Sequence, residues 1–115
     1  MSTLSTILAG MLGVAFVAAG IPKLMSEAAI VANFKRWGYA DAVRFAVGAV
    51  ELLAGVLLLV GIAVQALAVT GVLLVIFVMI GALFTHARVR DPPARWLPAT
   101  ALFALAIALA VSLLP

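Results

Sequence analysis

Cysteine is absent from the 115-residue chain. That excludes disulfides, thiolate metal sites and dithiol redox chemistry carried by this chain alone. Charge is scarce as well: seven Lys and Arg, four Asp and Glu and one His stand against a composition that is 68% hydrophobic. A water-soluble core of this size could not hide so much apolar surface, so lipid is the expected solvent. With one histidine, bis-His haem ligation within a protomer is excluded. His86 and Glu51 are too few ligands for a structural zinc site, and no metal site is expected. The chain has no G-x-S-x-G elbow, phosphate-binding P-loop or dinucleotide fingerprint, and no Ser-His-Asp or Cys-His arrangement. No redox cofactor is encoded. The formal charge of +3 comes from basic residues in two connecting segments. They read as topology signals, and no nucleic-acid partner is expected.

What is present is a set of long apolar runs. About 20 apolar residues, rising 1.5 Å each, cross the ~30 Å hydrocarbon core of a bilayer as a helix. Runs of this kind cover about residues 4–22, 42–61, 64–86 and 94–114. The first has no basic residue before it and exceeds the length of a signal-peptide core, so it is expected to be kept as a span. Gly20, Pro22 and Lys23 mark its end, with the Lys23 ammonium expected to snorkel to the headgroups. Between runs one and two, Ile30, Val31, Phe34 and Trp37 recur at helical spacing. They predict a short amphipathic helix in the interface, started by Ser26 as N-cap and stopped by Gly38. Trp37, Tyr39 and Trp96 suit an aromatic belt. Asp41 is expected to cap the second span, and Asp91 followed by Pro92 to cap the fourth. Only Gly61 and Gln65 mark the turn between spans two and three, yet an unbroken helix over 42–86 would be more than twice the bilayer thickness. The expected fold is all-α: one domain over residues 1–115, a four-transmembrane-helix bundle with an interfacial helix between helices 1 and 2. Small residues at four-residue spacing, Ala9 with Gly13, Ala15 with Ala19, Ala104 with Ala108 and Ala106 with Ala110, suit close helix approach and self-association. Gly13, Gly20, Gly48 and Gly55 are the glycines expected to pack helices.

All seven Lys and Arg residues (Lys23, Lys35, Arg36, Arg44, Arg88, Arg90 and Arg95) lie in or beside the connections between spans one and two and spans three and four. The positive-inside rule then puts those connections in the cytoplasm and both chain ends outside the plasma (inner) membrane. One carboxylate, Glu51, lies well inside the second run. An acid at that depth is costly, by roughly 2.5–3.5 kcal/mol on insertion scales, and normally faces the bundle interior with a partner. Lys23, Arg44 and His86 are the candidates: Arg44 precedes Glu51 by two helical turns on roughly the same face, and Lys23 and His86 close spans at the same end. These four form the expected polar cluster, with Glu51 the candidate catalytic group if the protein is an enzyme.

The motifs AGIPKL, ANFKRWGYAD, VGAVELLAGVLLLVG and IGALFTHAR, in this order and spacing over nearly the whole chain, resemble the DoxX-like family of small four-helix membrane proteins. Gly20, Lys23, Gly48, Glu51 and His86 match its recurrent positions. The chain departs from the pattern at the 61–65 turn, where relatives often carry a proline or a charge. The resemblance implies the fold and a membrane location. It also implies redox partners in the membrane, since the family's name comes from association with thiosulfate–quinone oxidoreductase subunits. Two functions follow as expectations. One is a non-catalytic membrane protein that holds a lipid-like or quinone-like ligand or assembles a membrane oxidoreductase partner. The other is an enzyme or subunit of a quinone-linked oxidoreductase that uses Glu51 for proton transfer. Membrane lipid, a second copy of the chain and a membrane oxidoreductase are the expected partners.

Overall fold

The computed structural model describes residues 1–115 and is entirely helical. Its elements are α1 (Thr3–Leu24), α2 (Ala28–Trp37), α3 (Asp41–Gly61), α4 (Gln65–Arg88) and α5 (Pro93–Ser112). The four long helices are each long and apolar enough to cross a membrane, while α2 is a ten-residue amphipathic helix. The long helices run up and down in a ring, α1 against α3, α3 against α4, α4 against α5, and α5 back against α1. Their inner faces build one core, with Leu12 and Phe16 of α1, Leu58 of α3, Val75 of α4 and Leu109 of α5 at its centre. Each helix is apolar all round, as expected where both the core and the surroundings are oil. On α1, Leu4, Ile7, Met11 and Val14 line the outer face at helical spacing, each more than half exposed.

Between lipid-embedded helices the hydrophobic effect contributes little, and close packing must hold the bundle. α1 and α3 meet at two glycine pairs in one antiparallel register, Gly13 with Gly55 and Gly20 with Gly48. A Cβ on Gly20 would come within 2.7 Å of the Gly48 carbonyl oxygen and 2.8 Å of the Leu52 nitrogen; one on Gly55 would come within 2.7 Å of the Gly13 carbonyl oxygen. α3 and α4 approach just as closely at their shared turn, where a Cβ on Gly61 would run into the Ala68 backbone and one on Gly71 would sit 3.0 Å from Leu58. The unmarked turn at Ile62–Val64 therefore rests on Gly61, whose missing side chain lets α4 fold back at once. Ala104 and Ala108 are exposed on α5 and pack nothing within the chain.

The end with the chain termini is closed by hydroxyls. Ser2 Oγ accepts from the Ser5 amide at 3.0 Å and caps α1, Ser5 Oγ donates to Ser112 Oγ at 2.8 Å, and Ser112 Oγ donates to the Leu109 carbonyl at 2.7 Å. The two charged connections lie together at the opposite end.

Three expected caps differ from the structure for one reason: the side chain finds a better partner elsewhere. Ser26 does not cap α2, whose N-cap is Glu27. It follows α1 in the left-handed conformation (φ 58°), the Glu27 amide bonds back to the Pro22 carbonyl at 3.0 Å, and Ser26 Oγ accepts from Arg44. Asp41 lies inside α3, capped by Ala40, and accepts from Arg44 Nη2 at 3.4 Å. Asp91 precedes the Pro92 cap of α5, with Pro93 at the first helical position. Arg90, at φ 55°, ends α4, and the Asp91 amide returns to the His86 carbonyl at 3.0 Å. This helix-terminating turn carries the Asp91 carboxylate back toward the His86 ring.

Candidate ligand cavity

α3 and α4 are in contact at the Gly61 end and part toward the other. Between them opens a cavity of about 640 Å³ whose 18 lining residues include 13 hydrophobic ones. Val43, Ala46, Val47 and Val50 form one wall, Phe77, Met79 and Ala82 the other, and Phe34, Trp37 and Tyr39 close it from the α2 side. Phe77, Ile80 and Phe84 are more than half exposed, so the lip between the helices faces lipid. The polar lining comprises Lys23, Glu51, Tyr39, Thr85 and His86.

Glu51, 3% exposed, pairs with Lys23: Lys23 Nζ lies 2.8 Å from Glu51 Oε1 and donates to the Ala19 carbonyl at 3.1 Å. Lys23 therefore turns into the bundle, a correction to snorkelling. The reason is the direction of helix side chains, which lean toward the helix N-terminus; from the C-terminal end of α1 that direction is inward. Beyond this ion pair Glu51 makes no hydrogen bond within the protein, and it lines the cavity.

Arg44 does not reach Glu51. It sits in the first turn of α3, so the same lean carries it outward, where it donates to the Lys23 carbonyl at 2.6 Å and to Ser26 Oγ at 3.0 Å. It is 3% exposed and clamps the carbonyl end of α1, where a cation is favoured by the helix dipole. The expected four-residue cluster is thus divided: Lys23 with Glu51, Arg44 at the rim, and His86 with a partner absent from that set. His86 Nδ1 lies 2.6 Å from Asp91 Oδ2. Arg36 Nη1 donates to Asp91 Oδ1 at 2.6 Å. Arg36 beside the carboxyl, with His86 second, holds Asp91 at about 2, well below the usual aspartate value.

The rim residues expected to mark topology and the aromatic belt also tie α2 to the α4–α5 connection. Arg36 reaches Asp91, and Arg88 Nη2 donates to the Trp37 carbonyl at 2.6 Å while its guanidinium lies 5.1 Å from the Tyr39 ring centroid. Thr85 Oγ1 donates to the Gly81 carbonyl at 2.8 Å, so the 2.7 Å contact with Tyr39 is donated by the tyrosine hydroxyl. The His86 ring stacks on Trp96 and meets Trp37 edge-on, with centroids 6.1 and 5.9 Å away. Trp96 Nε1 donates to the Asp91 carbonyl at 2.8 Å.

Compared with known proteins, the profile of the DoxX-like family matches residues 7–110, nearly the whole chain. The chain belongs to the DoxX-like family. No curated protein and no solved structure matches it. Family membership and the four apolar helices make this DoxX-like chain an integral, multi-pass membrane protein. Sequence reasoning missed Asp91, Arg36, Trp37, Tyr39 and Thr85 as neighbours of the cavity. The available signal was the distance of five residues between the lone histidine and an acid across a helix end. Nowhere do three metal-ligating side chains gather.

Proposed function

We propose that this DoxX-like protein is non-catalytic and binds a lipid-like or quinone-like amphiphile in the cavity between α3 and α4, and that it presents this ligand to, or assembles with, a membrane oxidoreductase partner. One observation carries the reading: an apolar cavity with a lipid-facing lip that ends on a buried Lys23–Glu51 pair. At about 640 Å³ the volume falls in the range of about 300–1,000 Å³ typical of small-molecule sites, which pair apolar walls with a few polar groups. The lip admits a ligand from the bilayer, the walls take its tail, and the polar lining of Lys23, Glu51 and His86 addresses its head. With the charged connections in the cytoplasm, as the positive-inside rule favours, the cavity opens in the cytoplasmic half of the plasma membrane.

The test is native mass spectrometry of the protein released from its membrane, wild type against Glu51→Gln. The wild type is expected to carry a co-purifying amphiphile that the variant retains less well. Unchanged bound molecules and unchanged protein partners in the variant would refute the proposal.

A second reading, proton transfer by Glu51 within a quinone-linked oxidoreductase, is favoured by the place of Glu51 on the cavity wall. An acid in reach of a bound head group can exchange a proton with it. This reading requires quinone turnover that depends on Glu51 and is supplied with electrons by a partner. Absence of turnover with candidate redox partners present would refute it.

A further inference from the structure

We propose that His86, oriented by Asp91, is a hydrogen-bond acceptor of the cavity toward its occupant, acting through Nε2, and that the occupant is therefore headed by a hydroxyl rather than a carbonyl. The inference rests on the amphiphile-binding reading above and adds the chemistry of the head group.

The argument starts at Asp91. Its side chain is 3% exposed and is held by Arg36 Nη1 at 2.6 Å on one oxygen and by His86 Nδ1 at 2.6 Å on the other. With its carboxyl held at about 2, Asp91 is ionised at neutral pH, and an ionised carboxylate only accepts. The proton on Nδ1 is thus fixed by the partner it meets, and in the neutral ring the lone pair falls on Nε2. Trp96 stacked on one face and Trp37 edge-on hold the ring so that this atom cannot turn away. Nε2 has no partner within the protein, and His86 lines the cavity.

The two hydroxyls on that wall are already used. Tyr39 donates to Thr85, and Thr85 to the Gly81 carbonyl. What remains open on the cavity near the rim is the acceptor at His86 Nε2; Trp37 Nε1, a donor with no partner, is buried beneath the surface, and the Lys23 ammonium, the other donor of the lining, lies deeper against Glu51. The α3–α4 register, with Gly61 beside Ala68 and Gly71 beside Leu58, puts Glu51 level with Val78, so the His86 backbone lies about 12 Å nearer the rim at 1.5 Å per residue, and the lean of both side chains toward their helix N-termini narrows that separation. A head group at the rim end meets an acceptor and must donate. A carbonyl head would set lone pair against lone pair and leave both unpaired. The charged and titratable groups around the ring are Asp91 directly, Arg36 from α2 through Asp91, Arg88 and Tyr39 at the same rim, and Lys23 with Glu51 across the cavity; α5 contributes the neutral Trp96. When the ring gains a proton it gains it at Nε2, which then donates, so the preference for a hydroxyl holds only while the ring is neutral.

His86 is the sole histidine, so ¹⁵N-histidine labelling gives one imidazole to observe. The full chain is placed in lipid nanodiscs at alkaline pH and titrated with 4-decylphenol and with its methyl ether. The ¹⁵N spectrum reads the tautomer and any contact at Nε2, and tryptophan fluorescence reads binding. The expected result is an Nδ1–H tautomer in the free protein, an Nε2 resonance that moves with the phenol and stays with the ether, and about fivefold weaker binding of the ether, the size of one net hydrogen bond. In Asp91→Ala the tautomer preference and the discrimination between probes are both expected to disappear, while the wild-type measurements stand whether or not that variant folds. An Nε2–H tautomer in the wild type would overturn the inference. So would two probes that bind equally without moving Nε2, and in that case the amphiphile reading survives. If neither probe binds, both fall.

Discussion

Separating Lys23 from Glu51 is the perturbation with the largest calculable effect. At 2.8 Å and an effective dielectric of 20, two unit charges attract by about 6 kcal/mol. Removing both ions from water opposes this by several kcal/mol per ion, so the pair as a whole adds little net stability. Breaking it is different. Lys23→Met leaves a carboxylate on a short stem, 3% exposed, with no cation near enough to replace the lysine, because Arg44 points to the rim. A loss of about 3–5 kcal/mol is expected from an orphaned buried charge. Glu51→Leu is expected to cost less, about 1–2 kcal/mol, because the lysine stem is long and flexible enough to swing its ammonium to the headgroups. The double variant Lys23→Met/Glu51→Leu replaces the pair by apolar groups and is expected near wild type, which puts the coupling at about 4–7 kcal/mol, the sum of the two single losses. Reversible unfolding in mixed micelles, followed by the fluorescence of Trp37 and Trp96, measures the cycle. Additive single effects, or a Lys23→Met variant as stable as wild type, would refute the inward position of the lysine.

Gly20→Ala is expected to destabilise by about 1–3 kcal/mol, because the new methyl meets backbone atoms of Gly48 and Leu52 that cannot yield. Gly10→Ala is its control: a Cβ there meets nothing within 4 Å, and a neutral or slightly stabilising effect from better helix propensity is expected in the same unfolding assay. Acid should release α2 late. A carboxyl held below its ordinary value stabilises the fold above that value, 3.8 for Asp91, and the contribution is lost as pH falls through about 2. Hydrogen exchange of the α2 amides is therefore expected to stay slow from neutral pH down to about 3.8 and to rise below it. Release near pH 6 would contradict the Arg36–Asp91 clamp.

The four spanning helices were legible because each needs only an apolar run of sufficient length, and in lipid a run of that length has few other stable conformations. The acid of the second span could also be expected to face inward, since lipid offers it no partner. Its neighbours were harder to read. Lys23 and Arg44 both belong to the polar cluster expected from the sequence, and what separates them is whether each stands at the end or the beginning of its helix. Sequence distance alone treats them as equivalent; the lean of side chains toward the helix N-terminus sends the lysine in and the arginine out. Asp91 before two prolines carries an ordinary cap signal. It loses to charge-assisted hydrogen bonds from Arg36, 55 residues earlier, a contact no local pattern encodes and one about twice as strong as a neutral hydrogen bond. The cavity itself was not legible, because it is the space left where α3 and α4 part, and that follows from glycines at the opposite end of the same two helices.

The claim that an amphiphile occupies this space is tested most directly by filling it. Val47 lines the cavity and Leu53 faces lipid, so Val47→Trp and Leu53→Trp add the same bulk inside and outside. Mass spectrometry of the organic extract of each purified variant is expected to show the co-purifying amphiphile lost from Val47→Trp and kept by Leu53→Trp. Equal retention by both folded variants would contradict the account.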